Sequence, residues 1–84
     1  MAAPQRGRQF VRESWKPGFL DTCAYLGYIQ GERRWRDKNG MLFTWDAMHG
    51  EIECFTAQGK HTGAADSLTG VKIKPARKGR RIRV

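Results

Sequence analysis

The sequence predicts a mainly β domain of the α+β class: an antiparallel sheet of about five strands with a short helical segment ahead of it. Three observations predict it. Asn39-Gly40, the strongest short hairpin signal, sits between two runs of strand length. Period-two spacing places Met41, Phe43 and Trp45 on one side of a strand, and Ile52 and Cys54 opposite Glu51 and Glu53 on the next. Turn formers at 47–50, 58–59 and 66–70 keep every later apolar run too short for a helix.

Taken in order, residues 1–16 carry Arg6, Arg8, Arg12 and Lys16 with little apolar pattern, and read as a basic arm whose end Phe10 and Trp15 anchor. Pro17-Gly18 breaks the chain. Phe19, Cys23 and Leu26 then recur at i, i+4 and i+7, which allows a short helix, while Tyr25, Tyr28 and Ile29 equally allow a strand; the helix is the reading preferred. The β pattern follows: strands at Arg33–Asp37 and Met41–Trp45 around the Lys38-Asn39-Gly40 turn, then Glu51–Ala57, Lys60–Ala65 and Val71–Lys74. Met41, Phe43 and Trp45 point one way; Leu42, Thr44 and Asp46 point the other. If Ile52 joins Phe43 and Trp45 in the core, Asp46, Glu51 and Glu53 share the opposite, open face. The 84 residues form one domain, divided at residue 32 into an arm with its short helix and a sheet with a basic tail. A chain of this length buries a modest share of its surface, so the core is small.

Sixteen Lys and Arg against eight Asp and Glu leave a formal charge of +8, which favours an anionic partner. A membrane surface would call for a basic amphipathic helix with a wide apolar face, and none is evident. No apolar run is long enough to span a bilayer, and Met1–Gln9 shows no apolar stretch of the signal-peptide kind. Nucleic acid therefore leads. The bland alternative is charge that merely keeps a small domain in solution, but the charge is unevenly placed: residues 71–84 hold seven Lys or Arg and no acid. Cys23 and Cys54, the only cysteines, lack metal-ligand spacing and read as small buried apolar groups. No cofactor is expected.

Half of the eight acids lie between Asp37 and Glu53, and Asp46, Glu51 and Glu53 fall within four residues of His49. Each residue alone has an ordinary reading: a surface histidine, a turn-forming aspartate, a solvated strand face. Together, in a cationic chain, they suit acid–base cleavage of a polyanion, and RNA fits best. Metal-free RNA cleavage needs a base for the 2′-hydroxyl, an acid for the leaving 5′-oxygen and a cation for the phosphorus-centred charge. Histidine, with an ordinary pKa of about 6.5, serves as acid or base. A glutamate crowded by another carboxylate serves as base. Arg and Lys of the tail, among them Lys72, Lys74 and Arg80, supply positive charge. A metal-dependent nuclease using Asp46, Glu51 and Glu53 is the rival; His61 stands a turn and a strand away from His49, too far in sequence for a compact His-rich metal motif. A non-catalytic RNA- or ribosome-binding module also fits the basic tail, and so does a nuclease that degrades DNA as well as RNA.

The pattern Arg33-Arg34-Trp35, Asp37-Lys38, Gly40, Trp45-Asp46-Ala47-Met48-His49-Gly50-Glu51-Ile52-Glu53, continuing through Gly59-Lys60-His61, Gly63, Asp66, Thr69-Gly70, Lys74 and Arg80 to Ile82, resembles the cytotoxic ribonuclease domain of the ribosome-inactivating colicins and related pyocin and contact-dependent toxin tips. The resemblance covers roughly residues 32–84. It implies a strongly twisted antiparallel sheet and a single cut in small-subunit ribosomal RNA at the decoding centre, yielding a 2′,3′-cyclic phosphate and a 5′-hydroxyl. It implies Glu53 as base, His49 as acid, Asp46 as the group that orients His49, Glu51 as accessory acid, and Lys74 and Arg80 as contacts to substrate phosphate. It also implies an acidic immunity protein as partner, a monomeric domain, and action in the cytoplasm of a target bacterium after delivery as part of a larger or partnered toxin. The receptor-binding and translocation regions of a colicin lie outside this sequence, which reads as an excised toxin domain or a stand-alone relative. The family often has Tyr where this chain has Phe55, so a phenol hydroxyl is missing there, although the ring could still stack on substrate. Residues 1–31 lie outside the resemblance.

Overall fold

The computed structural model describes residues 15–84, so the expectations for Arg6, Arg8, Phe10 and Arg12 lie outside the described residues. A single 3-10 turn, Phe19–Thr22, leads into six strands: β1 Ala24–Ile29, β2 Glu32–Arg36, β3 Leu42–Asp46, β4 Glu51–Phe55, β5 His61–Asp66 and β6 Lys72–Lys74. They form one antiparallel meander in which each strand pairs with its neighbours in sequence, leaving β1 and β6 as the two edges.

The helix preferred over residues 19–29 stops at Thr22. The Asp21 carboxylate accepts the Gly18 N–H at 3.0 Å, and Cys23 N–H closes the turn on the Leu20 carbonyl. Continuing the helix would have placed Gly27 in its interior, at a cost of about 1 kcal/mol relative to Ala. Aromatic Tyr25 and Tyr28 pair more readily with β2, and Gly27 takes φ 103° at the break in register after Tyr25. β1 is thus a strand that the sequence allowed but did not favour.

The Lys38-Asn39-Gly40 turn falls where expected. At 37–41 only Gly40 has positive φ, 86°, among the turn residues. Asp37 accepts backbone N–H bonds from Asn39 and Met41 through Oδ1, and Gly40 N–H returns to the Asp37 carbonyl. This is a three-residue loop closed by a left-handed glycine. Both central residues of a tight turn do have positive φ at Gln30 (54°) and Gly31 (85°), between β1 and β2.

The pairing Trp35↔Phe43↔Cys54 and Trp45↔Ile52↔Ala65 assembles one apolar face. Trp15 and Leu20, both buried, and half-buried Phe19 and Cys23 cover it. The Trp15 ring meets Trp35 and Trp45 edge-on at centroid distances of 5.9 and 5.6 Å. The covering segment is clamped to the loop between β5 and β6: Phe19 N–H donates to the Ser67 carbonyl at 3.0 Å, and a side chain at Gly70 would collide with the Phe19 ring. Trp15 and Trp35 are therefore core residues and unavailable for stacking on bases, whereas Tyr25 and Tyr28 remain exposed. Both cysteines are free; burial of Cys54 pushes its thiol up to about 11.

The second face carries Asp46, Glu51 and Glu53 together, as the alternation predicts. It is not open, however. The tail folds back over it: Lys60 bridges Arg81, Ile82 N–H donates to the Gly59 carbonyl, and His61 N–H donates to the Arg80 carbonyl. Gly59 is required there, since a side chain at φ 90° would strike the Ile82 carbonyl. Beneath this cover Leu42, Thr44, Phe55 and His61 are buried.

Candidate active site

Asp46 ends β3 and starts a tight loop. Its Oδ1 accepts the Met48 and His49 backbone N–H groups, Gly50 N–H donates to its carbonyl, and Gly50 takes φ 68°. The turn-forming reading of Asp46 is thus correct, and the same turn brings His49 Nδ1 to 2.7 Å from Asp46 Oδ2. With Nδ1 held by the carboxylate, the exposed Nε2 edge of His49 is the one left to meet a ligand. Burial pushes the Asp46 carboxyl up, but the His49 imidazole and the two backbone donors outweigh it and hold the group below its ordinary value.

Glu53, mid-β4, is nine-tenths buried. Its Oε1 lies 2.6 Å from His61 Nε2 and 3.7 Å from an Arg80 guanidinium nitrogen. His61 Nδ1 accepts the Arg77 N–H at 2.8 Å, so the imidazole proton resides on Nε2 and is donated to Glu53. Glu53 Oε2 has no protein partner among the described residues. Glu51 pairs with Lys74 at 3.0 Å. Asp46, His49, Glu51, Glu53, His61, Lys74 and Arg80 all line one cavity of about 320 Å³. The cluster expected from sequence is brought together, with both expected phosphate contacts of the tail beside it.

Two expected substrate contacts are not. Phe55 is wholly buried, so its ring cannot stack on a base; it backs His61 edge-on at 5.2 Å and lies under the Arg80 guanidinium. Lys72 pairs with Ala65 on the opposite sheet face and donates to the Thr62 carbonyl, away from the cavity. Conversely, His61 belongs to the cluster that sequence distance had kept it from. A register shift between Cys54 and Phe55 sets it across from Phe55, on the Glu53 face. Only that irregularity, invisible to strict alternation, brings it there.

One ligand oxygen each from Asp46, Glu51 and Glu53 lies within 4.8 Å of the others, a spacing that could hold a hard cation. Lys74, His61 and Arg80 already occupy two of these carboxylates. What the arrangement offers without a metal is a shielded carboxylate, an imidazole oriented by an aspartate and a neighbouring guanidinium.

The depressed Asp46 and Asp66 carboxyls carry a prediction. Asp66 is lowered mainly by the Thr69 N–H and hydroxyl, which anchor the loop before β6. A depressed carboxylate stabilises fully above its ordinary value of 3.8 and loses that contribution as pH falls through the lower folded value. Denaturant midpoints should therefore fall on acidification below about 3.8, and the Asp66→Asn variant should show a shallower fall. An identical acid limb in the variant would refute it.

The model of the family described as Cytotoxic matches residues 27–83. Colicin E3 of Escherichia coli is 37% identical over 60 residues, covering 70% of this chain and 11% of colicin E3. Cloacin of Escherichia coli is 40% identical over 60 residues, covering 70% of this chain and 11% of cloacin. The chain thus spans about a tenth of the length of these relatives. The matched stretch runs from β1 through the tail that closes the cavity and contains every residue of the cluster, so this chain belongs to the cytotoxic-domain family of the colicin E3 and cloacin type.

Proposed function

We propose that this domain is a toxin endoribonuclease that cuts small-subunit ribosomal RNA at the decoding centre by metal-independent attack of a 2′-hydroxyl. The observation that supports it most is the pairing of two differently held groups in one cavity: a buried Glu53 with one free oxygen, and an exposed His49 oriented by Asp46. Glu53 Oε2 takes the 2′-hydroxyl proton. His61 Nε2–H and Arg80, both on Oε1, keep the carboxylate aimed. The oxygen attacks phosphorus, charge develops on the non-bridging oxygens, and Arg80 and Lys74 stabilise it. His49 Nε2 gives a proton to the departing 5′-oxygen, and the Asp46 carboxylate on Nδ1 orients the ring for it. Glu51 holds Lys74 at the rim. The products are a 2′,3′-cyclic phosphate and a 5′-hydroxyl.

Primer extension across small-subunit RNA from treated ribosomes is the test: one new stop should appear, and it should persist in excess chelator. Loss of cutting in chelator would favour a metal held by Asp46, Glu51 and Glu53, and binding without any cut would leave an RNA-binding module. The formal charge of +8 also suits an acidic immunity protein, because opposite charge speeds encounter. Failure of such a protein from the producing cell to bind at low salt would count against that partner. On this reading the domain works in the cytoplasm of a target cell after delivery from outside.

A further inference from the structure

A second cavity, a groove of about 690 Å³, lies between β2 and the returning tail and is lined by Glu32, Arg34, Arg80, Arg81 and Arg83 among others. Arg34 is its unusual member. It is 5% exposed, yet no carboxylate among the described residues lies within 4.0 Å of its guanidinium. One terminal nitrogen donates to the Arg83 carbonyl at 2.8 Å, and Nε is buried with no partner. Burying an arginine without a counter-charge is costly, and an anion in the groove that Arg34 lines would offset that cost. A guanidinium is a planar donor fork of the shape that matches a phosphate.

The sheet registers this fork with the reaction centre. Arg34↔Thr44, Thr44↔Glu53, Glu53↔Ala64 and Ala64↔Lys74 form one row across the cavity-bearing face. Arg34 and Glu53 are two strands apart, about 10 Å at the backbone. Thr44 between them also has a buried hydroxyl with no partner. Arg80 lines both the groove and the active-site cavity, so the two are continuous at that residue.

We infer that the groove is a phosphate subsite for the RNA strand adjoining the cleaved linkage, with Arg34 as its buried anchor and Arg81 and Arg83 at its walls. The inference rests on reading the neighbouring cavity as an RNA-cleaving site. An acidic protein segment is the other anion that could lie there. Continuity with the reaction centre favours RNA, as does a fork with no carboxylate of the chain's own on it.

The test uses the full chain carrying Glu53→Gln, which keeps RNA intact during binding to a single-stranded oligoribonucleotide at several salt concentrations. Adding Arg34→Gln should weaken binding and reduce the slope of log affinity against log salt by about 0.7, the loss of one phosphate contact. Arg83→Gln should act likewise; it keeps the backbone carbonyl that holds Arg34, and so reads the groove's charge even if Arg34→Gln fails to fold. Unchanged slopes in folded variants overturn the subsite, as does an equal loss of polyglutamate binding. Primer extension with the unsubstituted chain separates the two readings. Cutting with unchanged slopes removes only the subsite, whereas Arg-dependent slopes without cutting remove only the nuclease.

Discussion

On the proposed assignment of Glu53 as base, replacing it by Gln is expected to slow cleavage of ribosomal RNA by about 10²–10⁴-fold, the usual contribution of a positioned base. The substitution preserves size, and the Gln carbonyl can still accept the His61 Nε2–H, so the circular dichroism spectrum and melting temperature should change little. His49→Ala should cost a comparable factor for a different reason. His49 is half-exposed and its removal leaves both backbone donors on Asp46, so the loop persists while the proposed proton donor is gone. The loss should fall on the rate at saturating ribosome concentration rather than on binding, since neither group is assigned to hold the substrate. If both variants cut at the unsubstituted rate, the roles are misassigned.

Trp15→Ala should be the most damaging substitution outside the cavity. The residue precedes the family-matched stretch by more than ten positions, yet it plugs the apolar face between Trp35 and Trp45 and takes the Arg33 guanidinium against its ring. Truncating a buried aromatic of this kind costs about 3–5 kcal/mol. A domain of this size has about 5–15 kcal/mol in all. Thermal melting should drop by more than about 10 °C, and an unchanged melting curve would show that the sheet does not need this cover. A fragment trimmed to the matched residues alone should be similarly compromised.

The cluster was legible because its logic is local. Asp46, Glu51 and Glu53 lie on facing strands joined by one tight loop, so period-two alternation alone predicts their common face. His61 was not legible, because a single irregular step between Cys54 and Phe55 decides which face it joins. The cover that the tail lays over this face was not legible either. The tail is fastened through backbone groups, His61 N–H to the Arg80 carbonyl and Ile82 N–H to the Gly59 carbonyl, and such bonds leave no mark in side-chain pattern. The density of Lys and Arg in residues 71–84 marks the tail as cationic, but it does not separate Lys74, beside Glu51, from Lys72, on the far face. β1 was obscured for a related reason: the aromatic spacing of residues 19–29 fits two periods, and Gly27 settles the matter only once β2 is present to pair with it.

The open ends of the meander govern how molecules of this protein treat one another. One terminal strand is a three-residue stub that begins and ends in lysine; the other is bent by an irregular glycine midway. Neither offers a straight, uncharged ribbon onto which a neighbour's backbone could zip, and like-charged copies repel besides. Crowding should therefore leave the particles separate rather than seeding fibrils or stacked sheets.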